Sequence, residues 1–189
     1  MSNKNILAAA LIFAGLAFSA NASAQTYVGG TVGKSRWNMD CAGTTSCSTT
    51  DTAFKLLGGY DLAPNWALEA SYFSLGKATA SDGNIKGEFK ASGVDFSGVV
   101  KTAPENGFVG FAKLGLAYVQ GKSTGSVGNM SGSVSKNSAQ PVFGLGFLYQ
   151  VSNNVNVRAE YESRKVKVAD IDDATSTVRN FSVGVQASF

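Results

Sequence analysis

Few side chains in this sequence are equipped for chemistry. Cys41 and Cys47 stand close together in a stretch rich in Gly, Ser and Thr, and the 189 residues include no histidine. Two thiols can close a small disulfide loop or contribute to a metal site. The disulfide is the leading reading for a chain exported to an oxidising compartment, and two thiols without histidine are too few ligands for zinc. Without histidine the chain cannot perform Ser-His hydrolysis, Asp-His proteolysis or histidine-ligated metal chemistry. No enzymatic activity, cofactor or metal is therefore expected. Asp170, Asp172 and Asp173 lack the glycine and distal glutamate of a calcium loop and read as a solvated acidic turn. Arg164, Lys165 and Lys167 form a cationic group able to hold phosphate. Gly144-Leu145-Gly146 is no nucleotide loop, because no helical pattern follows it.

These residues have to be positioned by a chain that leaves the cell interior. Lys4 precedes an apolar run from Ile6 to Phe18, and Ala22-Ser23-Ala24 fits the small-residue cleavage rule, so residues 1–24 read as a signal peptide cut between Ala24 and Gln25. Residues 25–189 then make one domain. With Lys4 removed, 15 Lys/Arg face 13 Asp/Glu, interspersed and without a basic stripe, which excludes nucleic acid as an expected partner. No later run reaches the roughly 18 unbroken apolar residues of a membrane helix. Mean hydropathy is +0.02, with 22 Gly and only 3 Pro. Such a chain can present a lipid-facing surface only if apolar and polar residues alternate.

They alternate throughout. In the last segment, Thr177–Phe189, Phe181, Val183, Val185, Ala187 and Phe189 share one parity while Asn180, Ser182, Gly184, Gln186 and Ser188 share the other. Comparable segments run over 25–37, 52–62, 66–75, 88–101, 108–120, 140–151 and 155–164. Each approaches the roughly ten residues a tilted strand needs to cross a bilayer. Short turns at 63–65 (with Pro64), 103–107 and 152–154 alternate with long polar segments at 38–51, 76–87, 121–139 and 165–176, which read as loops. The expected fold is all-β: an eight-stranded antiparallel up-and-down transmembrane β-barrel with both termini at the short-turn end. A soluble lipocalin-like barrel would need a polar outer face, which the Phe, Leu, Val and Tyr at the outward parity contradict.

Gly58-Gly59-Tyr60-Asp61-Leu62-Ala63-Pro64-Asn65, then Leu68-Glu69-Ala70-Ser71-Tyr72, and Pro141-Val142-Phe143 through Val155-Asn156-Val157-Arg158-Ala159-Glu160-Tyr161, resemble the eight-stranded transmembrane domain of OmpA-type outer-membrane proteins. The resemblance covers essentially all of 25–189. It implies an outer-membrane location and an interior charged network in which Glu69, Lys113, Arg158 and Glu160 take the matching positions. Val99 and Leu148 depart from the pattern where it has an interior Lys and an interior Glu. Phe189 resembles the terminal aromatic by which such barrels are recognised for insertion. Implied partners are outer-membrane lipid, lipopolysaccharide, the barrel-assembly machinery, and host or phage surface ligands met by four extracellular loops, with the barrel a monomer. A structural or surface-interaction role with a plugged interior leads, and a narrow or gated channel for ions or small solutes is the alternative. Eight strands leave an interior just wide enough for side chains. No peptidoglycan-binding domain is expected, since the sequence stops at Phe189.

Overall fold

The computed structural model describes residues 26–39, 41–42, 44–128, 130–167 and 175–189. The expected Ala24/Gln25 cleavage point, and Asp170, Asp172 and Asp173, lie outside them. Nine strands follow in order: β1 Thr26–Trp37, β2 Ser46–Ser48, β3 Thr50–Ala63, β4 Trp66–Asp82, β5 Ile85–Lys101, β6 Phe108–Val127, β7 Met130–Ser152, β8 Val155–Lys167 and β9 Thr175–Ser188. Consecutive long strands pair antiparallel. β1 hydrogen-bonds β3 on one side and β9 on the other, so eight strands close into a ring. β2 is a short addition to β4, with Cys47 opposite Ala80.

The alternation explains why a ring forms. Phe54, Leu56, Trp66, Phe96, Leu114, Leu116, Phe147 and Val185 point outward, and Leu116 is 66% exposed, whereas Glu69 on the inner face is fully buried. Water would favour the reverse arrangement. Apolar-out, charged-in walls suit a hydrocarbon surround, and closure leaves no unpaired edge within it. Three short joins and both described chain ends lie at one end of the ring. There the Phe189 N–H donates to the Thr26 carbonyl at 2.9 Å.

Two of the four long segments are not loops. β4 and β5 continue as a hairpin until Asp82 faces Ile85, and β6 and β7 until Val127 faces Met130. The segments 76–87 and 121–139 carry little apolar–polar contrast, so periodicity gives no strand signal there, yet their Ser, Thr, Val and Lys can pair through the backbone. Gly83 and Gly128 take positive φ (54° and 58°) at the first position of two-residue turns, where a Cβ would be strained. Likewise β8 runs to Lys167, past the expected end at Arg164, and β9 starts at Thr175.

Candidate functional site: a charged belt across the lumen

Among the described residues, eight charged side chains are buried inside the ring: Lys55, Lys113, Arg158 and Arg164 against Glu69, Asp95, Glu160 and Glu162. Each stands at the inward parity of its strand. Four cations and four anions make the belt neutral, as groups removed from water require.

The contacts run across the lumen. Arg158 grips Glu69 through Nη1 (2.7 Å) and Nη2 (3.2 Å), donates from Nε to Glu160 (2.9 Å), and reaches Gln186 Oε1 through Nη1 (3.0 Å). Lys113 Nζ lies 2.6 Å from Glu160, 2.5 Å from Glu162 and 3.3 Å from Glu69. Lys55 Nζ meets Glu160 at 2.6 Å and Glu162 at 3.1 Å. Arg164 bridges Glu162 (2.9 Å) and Asp95 (3.4 Å). Each carboxylate except Asp95 therefore holds at least two cations.

Interior glycines make this reach possible. Gly144 on β7 stands in register between Lys113 on β6 and Glu162 on β8. A Cβ there would lie 2.8 Å from Lys113 Cε and 2.9 Å from Cγ, so the lysine stem occupies the space a side chain would fill. Gly59 does the same for Tyr27, which passes over it and donates from its hydroxyl to Glu69 at 3.4 Å.

Apolar layers close the belt on both sides. Toward the short-turn end lie Tyr27, Leu57, Ala67, Val99, Phe111 and Leu148. Toward the other end lie Trp37, Phe73, Leu75, Val119, Val142, Val166 and Val178, with smaller residues between. The two arginines mark the boundaries. The Arg158 guanidinium sits 4.4 Å from the Phe111 ring centre and Arg164 3.8 Å from that of Phe73, so each is charge-paired on one side and stacked on the other. Val99 and Leu148, the two departures from the resembling pattern, both belong to the lower layer.

The structure brings Glu69, Lys113, Arg158 and Glu160, the four residues singled out in the sequence, into contact. Arg164 corrects the expectation of an exposed cationic group: it faces the lumen and is 2% exposed, because it keeps the inward parity of Arg158, Glu160 and Glu162 on β8. Lys55, Asp95, Glu162 and Arg164 were not foreseen as network members. Cys41 and Cys47 form a disulfide near the long-segment end. Among the described residues no three His, Cys, Asp or Glu side chains are grouped as metal ligands.

Beyond the barrel wall, charges meet water. Glu88 bridges Lys90 at 2.9 Å and Lys77 at 3.2 Å, with the lysines about half exposed. Hydrogen bonds from Lys90 and Lys77 hold its carboxyl below the usual range. Asp51 accepts backbone N–H bonds from Thr52 (2.7 Å) and Lys77 (2.8 Å), and these lower its pKa in turn. It pins the Gly76 bulge (φ 66°), where β4 shifts register and its inward parity passes from Leu75 to Ala78.

A family model described as the OmpA-like transmembrane domain matches residues 21–189. Among solved structures, the Neisserial surface protein A is similar at 14% identity and TM-score 0.63, covering 87% of this chain and 97% of that one. The attachment invasion locus protein Ail of Yersinia pestis is similar at 20% identity and TM-score 0.56, covering 87% and 99%. A further Ail structure is a complex with the heparin analogue sucrose octasulfate. The N-terminal β-barrel domain of Pseudomonas aeruginosa OprF is similar at 15% identity and TM-score 0.53, covering 87% and 98%. At these identities the likeness is one of fold. No curated protein sequence matches the chain.

Proposed function

Because the chain belongs to the OmpA-like transmembrane domain family and is an integral β-barrel of the bacterial outer membrane, we propose that it is a plugged, non-enzymatic barrel acting at the cell surface. Its work is done by the segments beyond the wall rather than by transport through it. One observation carries this reading: a neutral, fully paired belt lies between two apolar layers, so an ion would have to break desolvated pairs and also cross hydrocarbon-like side chains.

The short turns and termini face the periplasm, and the four long connections face outside, two of them as hairpins and one carrying the Cys41–Cys47 disulfide. Residues 1–24 direct export and are removed between Ala24 and Gln25. Phe189, at the outward parity beside the closing β1–β9 seam, serves recognition by the assembly machinery. The monomer contacts host, phage or lipopolysaccharide through its outer segments, as the complex of Ail with a heparin analogue illustrates for that protein.

A gated channel is the second reading. It is favoured by Lys113, which lies within 3.3 Å of three carboxylates and so has alternative partners at hand. Single-channel recording of folded protein beside an Arg158→Ala variant decides between them, with folding checked by heat-dependent gel mobility. Silence from folded wild-type protein is expected. Discrete current steps that change in the variant would overturn the plugged reading.

A further inference from the structure

Immediately beyond the apolar band, the outward face of the ring carries a collar of cations whose arrangement works against the sheet itself. Lys77 on β4 is directly opposite Lys90 on β5, and Lys90 is directly opposite Lys122 on β6. Three lysines thus stand side by side on three neighbouring strands. On β1 and β9, Arg36 is directly opposite Arg179, with Lys34 two residues from Arg36 on the same face. Lys165 on β8 lies diagonal to Arg179, which pairs with Ser163. Like charges directly opposite one another destabilise a sheet. Within the protein, Glu88 relieves only Lys77 and Lys90. Arg36, Lys122, Lys165 and Arg179 are all exposed and have no acidic partner among the described residues.

The height of these cations identifies what would relieve the rest. Reading up the outward parity, Lys90 and Lys122 come two places after Val94 and Tyr118, Lys165 two after Tyr161, Arg36 two after Val32 and Arg179 one after Phe181. Two places correspond to about 13 Å along a strand, and to less in height because barrel strands tilt. That is the headgroup level of a bilayer whose hydrocarbon ends at the last apolar ring, within reach of snorkelling side chains. The cations point sideways into the leaflet, whereas a soluble partner would approach from above the hairpins.

We propose that this collar binds phosphate groups on the headgroups of outer-leaflet lipid, with Lys77, Lys90 and Lys122 forming one phosphate-holding ladder and Lys34, Arg36, Lys165 and Arg179 the other. The proposal rests on the membrane reading and on the long-connection end facing outward. It differs from the sequence expectation in replacing the consecutive group at 164–167 with residues that share a face across strands.

The test uses the full chain purified from membranes in mild detergent, titrated with bisphosphorylated lipid A and with its dephosphorylated form, and read by native mass spectrometry. Heat-dependent gel mobility confirms the barrel separately, so failure of the collar and failure of the membrane reading are distinguishable. Wild-type protein is expected to retain the phosphorylated lipid preferentially. K77Q/K122Q should weaken retention by roughly tenfold or more, since juxtamembrane cations act additively on lipid phosphate. K86Q, which removes a lysine two outward places beyond Lys90 on the β4–β5 hairpin, should leave it nearly unchanged. R36Q/R179Q repeats the test on the other side of the barrel and carries it if the first double variant fails to fold. Equal loss in K86Q, equal retention of dephosphorylated lipid, or binding of sucrose octasulfate without binding of lipid A would each overturn the assignment, the last in favour of a soluble polyanion.

Discussion

Lys113 and Lys90 make nearly the same contact in opposite surroundings. Lys113 lies 2.6 Å from Glu160 with neither side chain exposed, whereas Lys90 lies 2.9 Å from Glu88 with 55% and 30% of the two side chains exposed. Distance does not separate the two pairs, but solvent does. At the rim, water can replace either partner, and added salt screens what remains. In the belt no water replaces a lost partner, and every charge but Asp95 is shared between at least two partners. An ion pair in this protein is therefore an adhesive of little strength at one height and a structural necessity at another.

The sharpest way to test that contrast is to remove one shared anion. Glu160→Ala takes one carboxylate from each of Lys55, Lys113 and Arg158 and leaves four buried cations against three anions. Loss of a buried partner is expected to cost about 3–5 kcal/mol. Urea unfolding in detergent, followed by gel mobility, should show a correspondingly lower midpoint. A loss below about 1 kcal/mol would place the belt energetically with the rim. Gly144→Ala tests the same belt without touching a charge. Its Cβ would enter the path of the Lys113 stem, and the forced repacking should cost about 1–3 kcal/mol by the same assay.

How much of this was legible follows from what each signal measures. Alternation marks the strands wherever one face is apolar, and it gives the ring, the short turns and the inward parity of Glu69, Lys113, Arg158 and Glu160. The remaining half of the belt was legible by the same rule. Lys55 lies between the outward Phe54 and Leu56, and Asp95 and Glu162 stand at inward parity, but a single charge among apolar neighbours does not announce its partner across the lumen. Arg164 closes the strand read from the sequence at the same parity as Arg158, Glu160 and Glu162, but its neighbours Lys165 and Lys167 make it look like part of one exposed cationic run. Hairpin extensions fail the test for another reason, since both of their faces meet water and no alternation is required. Their turns still carried a signal in the Gly83-Asn84 and Gly128-Asn129 pairs. The glycine gaps at Gly59 and Gly144 depend on cross-strand register, which the sequence does not state.

Asp51 gives a smaller effect and a defined pH window. Its carboxyl is held below the usual range by the Thr52 and Lys77 N–H groups, so its contribution to the β3–β4 hairpin is fully present above the ordinary carboxylate range. That contribution fades as pH falls from there through the lowered value. Asp51→Asn keeps one acceptor and loses the charge, which should weaken the local structure by roughly 0.5–1.5 kcal/mol. Hydrogen exchange at the Lys77 amide is the readout. In wild type, its protection should decline on acidification before the belt gives way. In the variant it should be lower and flat across the same range, and identical profiles would remove Asp51 from the account of the Gly76 bulge.

Glu88→Ala completes the comparison from the weak end. The substitution removes the partner of both Lys77 and Lys90 and leaves three lysines in register with no carboxylate between them. If surroundings govern, the loss should stay within about 0–1 kcal/mol, because exposed ammonium groups regain water when the carboxylate goes. The part that is repulsion among the lysines should shrink as salt shortens the Debye length from about 10 Å at 0.1 M to 3 Å at 1 M. Unfolding midpoints of wild type and Glu88→Ala should therefore converge with added NaCl, while the Glu160→Ala deficit persists. A Glu88→Ala loss that is large and insensitive to salt would mean that the hairpin base is as water-poor as the lumen, and the distinction between belt and rim would fall.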